Sequence, residues 1–561
     1  MTELKPLNRP RFLAPTGIWL LAFIWLAAVI IIRPLGNFPL NDDWSFGRTV
    51  KHFVEHHDFV PCSWAAMPLV TNTVWGALFC LPSGFSFDAL RFSTLVAALI
   101  GMCAVYGLVK MSQTPEWLAV MTALVLGFNP IFFPLSYTFM TDVLFVSVCV
   151  LAAIFLLRHL QSGKNSDLFI GTALVVLGVL SRQLALAVPL AFAIVSCLKG
   201  GFRPSALWRA LLPVVVGTVV LVVFQHWMAV TGRLSYMTGQ KDAELSSALL
   251  HPIASLPRFS NNLFISLLYL GLFLLPVSLC VLASVWNTQK KKVQILFAIS
   301  LWVLLLAYFC FQRDAGLMPL SSGVLTRSGI GPVTLPDAFF LNLNAPPDLP
   351  VAFWKTVTAL SAIGATALMT LLGLFILETA PKLRSATLTD NQVAALFLIL
   401  TAAIYSVPLL ITTLMDRYLI FPVPFLAAAL VVAFSPILKL PARVFVPATA
   451  LLAAFVLFAV GSTRDYLTWN RARWAVINEL LANQHVDMAK MQLDGGFEFN
   501  GLNFYERKGW WHVQNADYLI AFGPVPGYAA IQEHPYSQWL PPGSGKIMAL
   551  KKSPEQTTAK N

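Results

Sequence analysis

The amino-acid sequence predicts an all-α polytopic membrane protein of about thirteen transmembrane helices, with interfacial helices in its first external loop and a small C-terminal α/β unit. Three observations predict it. The 561 residues are 57% hydrophobic and only 11% charged, with a mean hydropathy of +0.71, outside the usual range of soluble domains. Apolar runs recur at the length needed to cross hydrocarbon, and basic residues gather in every second connection between them. The formal charge of +12 then belongs to cytoplasmic loops and anionic headgroups, and no nucleic-acid partner is expected.

The first run, 14–33, follows Lys5, Arg9 and Arg11 and resembles a signal peptide. It is about long enough to span and lacks a small-residue cleavage site, so it reads as an uncleaved first helix. Further runs lie at 88–109, 117–135, 140–157, 168–181, 183–198, 210–230, 263–287, 294–312, 353–378, 391–413, 418–436 and 444–461. Those at 168–181 and 183–198 are short and read as a tight hairpin that does not cross at full thickness. With the N-terminus in the cytoplasm, the basic connections are Lys110; Arg158 and Lys164; Lys199, Arg203 and Arg209; Lys290, Lys291 and Lys292; Lys382 and Arg384; and Lys439 and Arg443. The C-terminus then lies outside.

The opposite face carries the long connections 34–87, 231–262, 313–352 and the segment 462–561. In the first, the polar amphipathic stretch Ser45 to Asp58 and the apolar stretch Met67 to Leu81 suit helices lying along the interface. The 313–352 connection is rich in Pro and Gly and reads as a lid or binding loop, with a structureless connector as the alternative. After Gly461 the composition changes. Thr463 to Trp474 has helical spacing, Tyr518–Phe522 and Lys546–Leu550 read as short buried strands, and Asp494-Gly495-Gly496 and Pro541-Pro542-Gly543 mark turns. The chain therefore divides into a membrane domain, 1–461, and an external unit, 462–561, in which no catalytic constellation is visible. The seven cysteines form no CxxC pair, and only Cys62 and Cys80 share an external loop, where one disulfide is open.

Ionisable residues beside spans are costly and point to function. Asp42 and Asp43 follow the first span on the outside; Arg91, Asp142, Arg182, Asp416 and Arg417 share that face. Arginine forks suit phosphate, and a partly dry carboxylate suits a general base. Interfacial salt bridges and snorkelling anchors are the plain alternative for any one of them.

The order of Asp42-Asp43, Arg91, Tyr137-Thr-Phe-Met-Thr141-Asp142, Leu180-Ser-Arg182-Gln183 and Asp416-Arg417-Tyr418-Leu-Ile-Phe-Pro422 resembles the polyprenyl-phosphate-dependent membrane glycosyltransferases of GT-C type. This group includes the protein O-mannosyltransferases and the aminoarabinose transferases acting on lipid A. The resemblance spans roughly residues 14–436. It implies a GT-C-like fold in a bacterial cytoplasmic membrane and inverting transfer of a sugar from a polyprenyl-phosphate donor to an envelope lipid, glycan or protein, as in lipopolysaccharide modification. Asp42 matches the leading catalytic carboxylate, Asp43 its partner, and Asp142 the later acid. Arg182 and Arg417 with Tyr418, and Arg91 beside them, are the implied donor-phosphate residues. One departure stands out: relatives carry Lys-Pro-Pro-Leu where this chain has Ala66-Met67-Pro68-Leu69, so a lysine facing the lipid phosphate is missing.

No cofactor is named with certainty, although a divalent cation could sit on the first-loop acids. His52 and His56, one helical turn apart, and Asp43 are the weak metal candidates, with no third ligand fixed. Trp469, Trp474, Trp510 and Trp511 read as an interfacial belt rather than sugar platforms. A lipid-linked-sugar flippase would place its charges near the midplane and show repeat symmetry. That reading and an envelope polymer ligase are the alternatives.

Overall fold

The computed structural model describes residues 15–553 apart from 113, 202, 312–315, 386 and 439–441. Lys5, Arg9, Arg11 and Lys439, on which part of the predicted charge alternation rests, lie outside the described residues.

In hydrocarbon every backbone amide must find its partner within the chain, so apolar runs fold as helices. Among the described residues, ten helices are long and apolar enough to cross a membrane, and three shorter apolar ones occupy Thr16–Ile32, Glu116–Gly127 and Asn165–Ser181. Each predicted run overlaps one of these, although 117–135 outruns its helix, which ends at Gly127 and is followed by a separate short helix, Phe132–Leu135. Large apolar side chains on the outer surface, Phe23, Val223 and Trp302 among them, are exposed, as a lipid-facing wall requires. The protein is an integral membrane protein.

Three details differ from the sequence reading. The segment Gln183–Gly200 qualifies as a full-length span, because its first turn, Gln183–Leu186, is a tight 3-10 turn that extends the helix Ala187–Gly200. The runs 263–287 and 294–312 are the two expected spans, Pro252–Trp286 and Thr288–Cys310, but a kink at Gln289, with φ −135° and ψ 35°, joins them in place of a loop. The 231–262 connection holds an unforeseen helix, Tyr236–Leu250.

The first loop forms the two expected helices, Asp43–His56 and Val70–Cys80. The 313–352 connection is ordered over 316–350 by a small hairpin of β1 (Leu325–Thr326) and β2 (Gly329–Ile330) and a turn of helix, Pro336–Phe339. Composition changes at 461, but the backbone does not break there: the helix Ala442–Asn483 runs 42 residues. At 1.5 Å per residue it is about 63 Å long, twice a hydrocarbon core of about 30 Å. Its second half therefore projects beyond the bilayer and carries the C-terminal unit.

That unit contains β3 (Leu493–Asp494), the helix Phe497–Phe504, β4 (Tyr518–Ala521), β5 (Tyr528–Trp539) and β6 (Pro542–Lys552). The sheet order is β3-β4-β6-β5, with β3 and β4 parallel and the rest antiparallel. β4 is buried throughout, consistent with its unbroken apolar sequence.

Candidate active site

Asn41 opens the site. Its φ of 57° is left-handed, a conformation that Asn tolerates better than most residues. Its side-chain oxygen accepts the Asp42 amide at 2.9 Å, which turns the chain into the helix Asp43–His56. Asp42 then points sideways. Its Oδ1 accepts the Trp64 indole N–H at 2.9 Å, and its Oδ2 accepts Arg417 Nη1 at 3.0 Å.

Asp43 points the other way. Its Oδ1 accepts the Leu40 amide at 2.6 Å and its Oδ2 the Phe139 amide at 3.0 Å. Burial pushes its carboxyl up to about 8, against the pull of these two amides and of Arg91. The two adjacent acids are thus separated by environment: Asp42 faces an open cleft, and Asp43 clamps the first loop to the segment before Asp142.

The helix Thr141–Ser162 carries Asp142 in its first turn, where the positive end of the helix dipole favours an acid. Arg182 lies in extended conformation between two helices, at φ −147° and ψ 132°, and its Nη1 meets Asp142 Oδ1 at 2.5 Å. The Arg182 guanidinium lies 5.5 Å from the centre of the Tyr418 ring, and that of Arg417 lies 5.6 Å from the same ring. Tyr418 therefore links the pairs Asp42–Arg417 and Asp142–Arg182 through cation–π contacts. Arg417 Nε, Asp142 Oδ2 and the Thr141 hydroxyl are buried without a hydrogen-bond partner among the described residues, whereas buried polar groups are nearly always satisfied.

Asp416, next in sequence, has a different task. Its carboxylate accepts the amides of Val324 and Leu325 and so moors the β1–β2 hairpin at the mouth of the site. Gly323, at φ 151°, makes that approach: a Cβ there would overlap Asp416 Oδ1.

These pieces surround a cleft of about 640 Å³. Asp42, Arg417 and Tyr418 line it, with Trp64 and Met67 from the first loop, Lys241 from the helix Tyr236–Leu250, the stretch Leu325 to Ser328, and Phe497 and Trp511 from the C-terminal unit. Arg182 and Asp142 stand behind Tyr418 rather than on the wall. Ala66, at the position of the missing lysine, lines the same cleft as Lys241 and Arg327.

Arg91 is fully engaged elsewhere. Its Nε donates to the Tyr137 carbonyl, Nη1 to those of Pro34 and Gly36, and Nη2 to that of Phe38; it ties the chain before Asn41 to the segment before Asp142 and is off the cleft wall. His52 and His56 stack at 4.5 Å, and His56 Nδ1 lies 3.2 Å from the His52 carbonyl. Among the described residues no group of three or more His, Cys, Asp or Glu could hold a metal ion. Cys62 and Cys80 are free thiols. Trp469 and Trp474 are buried instead of forming a belt, Trp474 stacking on Phe38. Trp510 packs on Trp44 and Trp64.

Sequence reasoning missed Trp64, Lys241, Arg327, Phe497, Glu498 and Arg473. The first four reach the cleft from separate connections. Arg473 and Glu498 pair across 25 residues, a separation that no local periodicity reports.

The fold and the site together define a polytopic membrane protein with a half-dry carboxylate and two arginines gathered at one end of its helices. Residues 67–229 match the family model described as dolichyl-phosphate-mannose-protein mannosyltransferase. The resemblance read from the sequence is thereby borne out over the stretch that contains Asp142 and Arg182. No curated protein matches the chain. Among solved structures, ArnT from Cupriavidus metallidurans in the apo state is similar at 17% identity and a TM-score of 0.36, covering 84% of this chain and 81% of that one. The same ArnT bound to undecaprenyl phosphate is similar at 14% identity and a TM-score of 0.39, covering 96% and 98%.

Proposed function

We propose that the chain is a GT-C-like glycosyltransferase of the bacterial cytoplasmic membrane, with its N-terminus cytoplasmic and its C-terminal unit outside. It moves a hexosyl or pentosyl group from a polyprenyl-phosphate donor to an extracytoplasmic acceptor. The observation that carries this reading is the Asp42–Arg417 pair on the wall of the cleft, in a chain whose 67–229 segment matches the mannosyltransferase family.

Arginine binds phosphate as readily as carboxylate. An incoming donor phosphate takes Arg417 and leaves Asp42 as a free base beside the anomeric carbon. The acceptor oxygen or nitrogen then attacks that carbon and passes its proton to Asp42, while the bond to the phosphate oxygen breaks with its electron pair. One displacement inverts the anomeric configuration. The leaving phosphate is a weak base, so no acid catalyst is needed. Arg417 and Arg182, joined through Tyr418, stabilise its growing charge, the kind of electrostatic help that counts most in the transition state. Asp142 orients Arg182, Asp43 and Arg91 hold the first loop, and Arg327, on the same cleft as Ala66, supplies the cation that Ala66 cannot.

The reading is tested with purified protein in lipid nanodiscs and radiolabelled undecaprenyl-phosphate sugars, following free undecaprenyl phosphate in the presence of envelope extract. Release of the lipid phosphate together with label transfer is expected. In proteoliposomes, passage of the labelled lipid across the bilayer without cleavage would replace the transferase by a flippase.

A further inference from the structure

One polar cluster outside the cleft is buried more completely than any group in it. Arg473, on the projecting half of the helix Ala442–Asn483, and Glu498, in the C-terminal unit, form an ion pair at 2.7 Å with both side chains 0% exposed. Every oxygen of Glu498 is engaged. Its Oε2 accepts Arg473 Nη1 at 2.7 Å and the Thr334 hydroxyl, also at 2.7 Å. Its Oε1 accepts the backbone amide of Asn41 at 3.2 Å. Arg473 also donates through Nε and Nη2 to the Gly495 carbonyl, at 3.0 and 2.6 Å.

The packing leaves no slack. At Gly496, with φ 86°, a Cβ would meet the Thr334 carbonyl at 2.7 Å and Arg473 Nη2 at 2.8 Å. Four segments therefore converge on one carboxylate: the first loop, the cleft-lining loop through Thr334, the projecting helix and the C-terminal unit. Among the described residues, the links from Arg48 to Glu506, Ser63 to Tyr505 and Arg471 to the Leu35 carbonyl also tie the first loop to the external segment, and these are exposed.

A buried ion pair is a poor stabiliser, since apolar residues of similar volume often do as well or better. Its advantage lies in fixing one arrangement. Here the fixed group is the amide of Asn41, whose own side chain fixes the amide of Asp42. We propose that Glu498 and Arg473 are positioning residues through which the C-terminal unit sets the direction of the Asp42 carboxylate. The proposal rests on the assignment of Asp42 as the base.

The test uses the full chain in nanodiscs and reads two quantities. The first is hydrogen exchange at the Asn41 and Asp42 amides, which reports the anchor whatever the substrate. The second is kcat and KM for release of undecaprenyl phosphate from its labelled sugar. The pair Glu498→Leu with Arg473→Met removes both charges and the acceptor for Asn41. Glu498→Gln with Arg473→Met restores an oxygen at that place. A displacement of about 1 Å costs up to ~10²-fold in rate, so the first pair is expected to exchange faster at both amides and to lose roughly ten- to hundredfold in kcat at unchanged KM. The second pair should recover both.

Asn41→Gly keeps the left-handed turn and touches no buried charge, so it serves even where the double variants fold poorly. It should lose kcat in the same range with KM unchanged. Wild-type exchange in the Leu/Met pair, or wild-type kcat in Asn41→Gly, overturns the proposal. Fast exchange in the Leu/Met pair and slow exchange in the Gln/Met pair, in a protein that cleaves no donor, would uphold the anchor and reject the transferase reading instead.

Discussion

Asp42 and Asp43 are neighbours in sequence and opposites in chemistry. The first shares its oxygens with an indole and an arginine on an open cleft; the second gives both of its own to backbone amides in the interior. Asp142 and Arg182 form a third kind of unit, a nearly dry ion pair in which each charge faces the other. Removing one partner of such a pair costs about 3–5 kcal/mol. Asp142→Ala should therefore unfold at markedly lower temperature than wild type in the same detergent, measured by scanning fluorimetry. Arg182→Lys keeps the charge and loses the planar fork, and is expected to retain stability better than Asp142→Ala while releasing lipid phosphate more slowly.

At the scale of the element, the 316–350 segment is moored to both the membrane body and the C-terminal unit. Asp416 holds its hairpin, and Asp337 reaches the C-terminal unit, accepting the Phe522 amide at 2.9 Å. Gly323→Ala forces a Cβ onto Asp416 at a backbone angle that suits glycine. It should cost about 1–3 kcal/mol and speed proteolysis within 316–350. Burial lifts the Asp337 carboxyl to about 6, above its ordinary 3.8. The folded state therefore holds its proton more tightly than the unfolded one, and this contribution to stability is full below pH 3.8 and is lost as pH rises through 6. Asp337 Oδ1 has no hydrogen-bond partner among the described residues, so an amide fits in its place. Asp337→Asn should remove part of the fall in melting temperature between pH 4 and 6.

Helices were the legible part of this chain, because hydrocarbon demands long apolar runs and insertion demands alternating charge. The first-loop helices, β4 and the middle of β6 were also legible, whereas β3 and the long, mostly exposed β5 were not. At the site, the acids and arginines were legible as a set, since charge beside a span is rare. Their division of labour was not. Arg91 looks like Arg417 in sequence, yet four carbonyls consume it, and nothing around Phe139 hints that its amide will draw Asp43 inward. The gap left by Ala66 was visible, but Arg327 and Lys241, which border the same cleft, lie in distant connections. The long helix Ala442–Asn483 hid the role of the C-terminal unit, because a composition change at 461 reads as a boundary when the backbone in fact continues.

Taken whole, the molecule is a helical membrane body whose one end is roofed by loops and a small sheet unit, with the cleft between them. Its lipid-facing wall suits a donor that stays in the bilayer, and the roof suits an acceptor arriving from the aqueous side. The account turns on Asp42, and single-turnover transfer from a radiolabelled undecaprenyl-phosphate sugar by wild type and Asp42→Asn, both verified as folded, tests it most directly. Asn keeps the shape and the indole contact but cannot take a proton, and general base catalysis contributes about 10²–10⁴-fold. A loss of that size in the chemical step with donor binding retained is the predicted result; transfer by Asp42→Asn at near the wild-type rate would contradict the account.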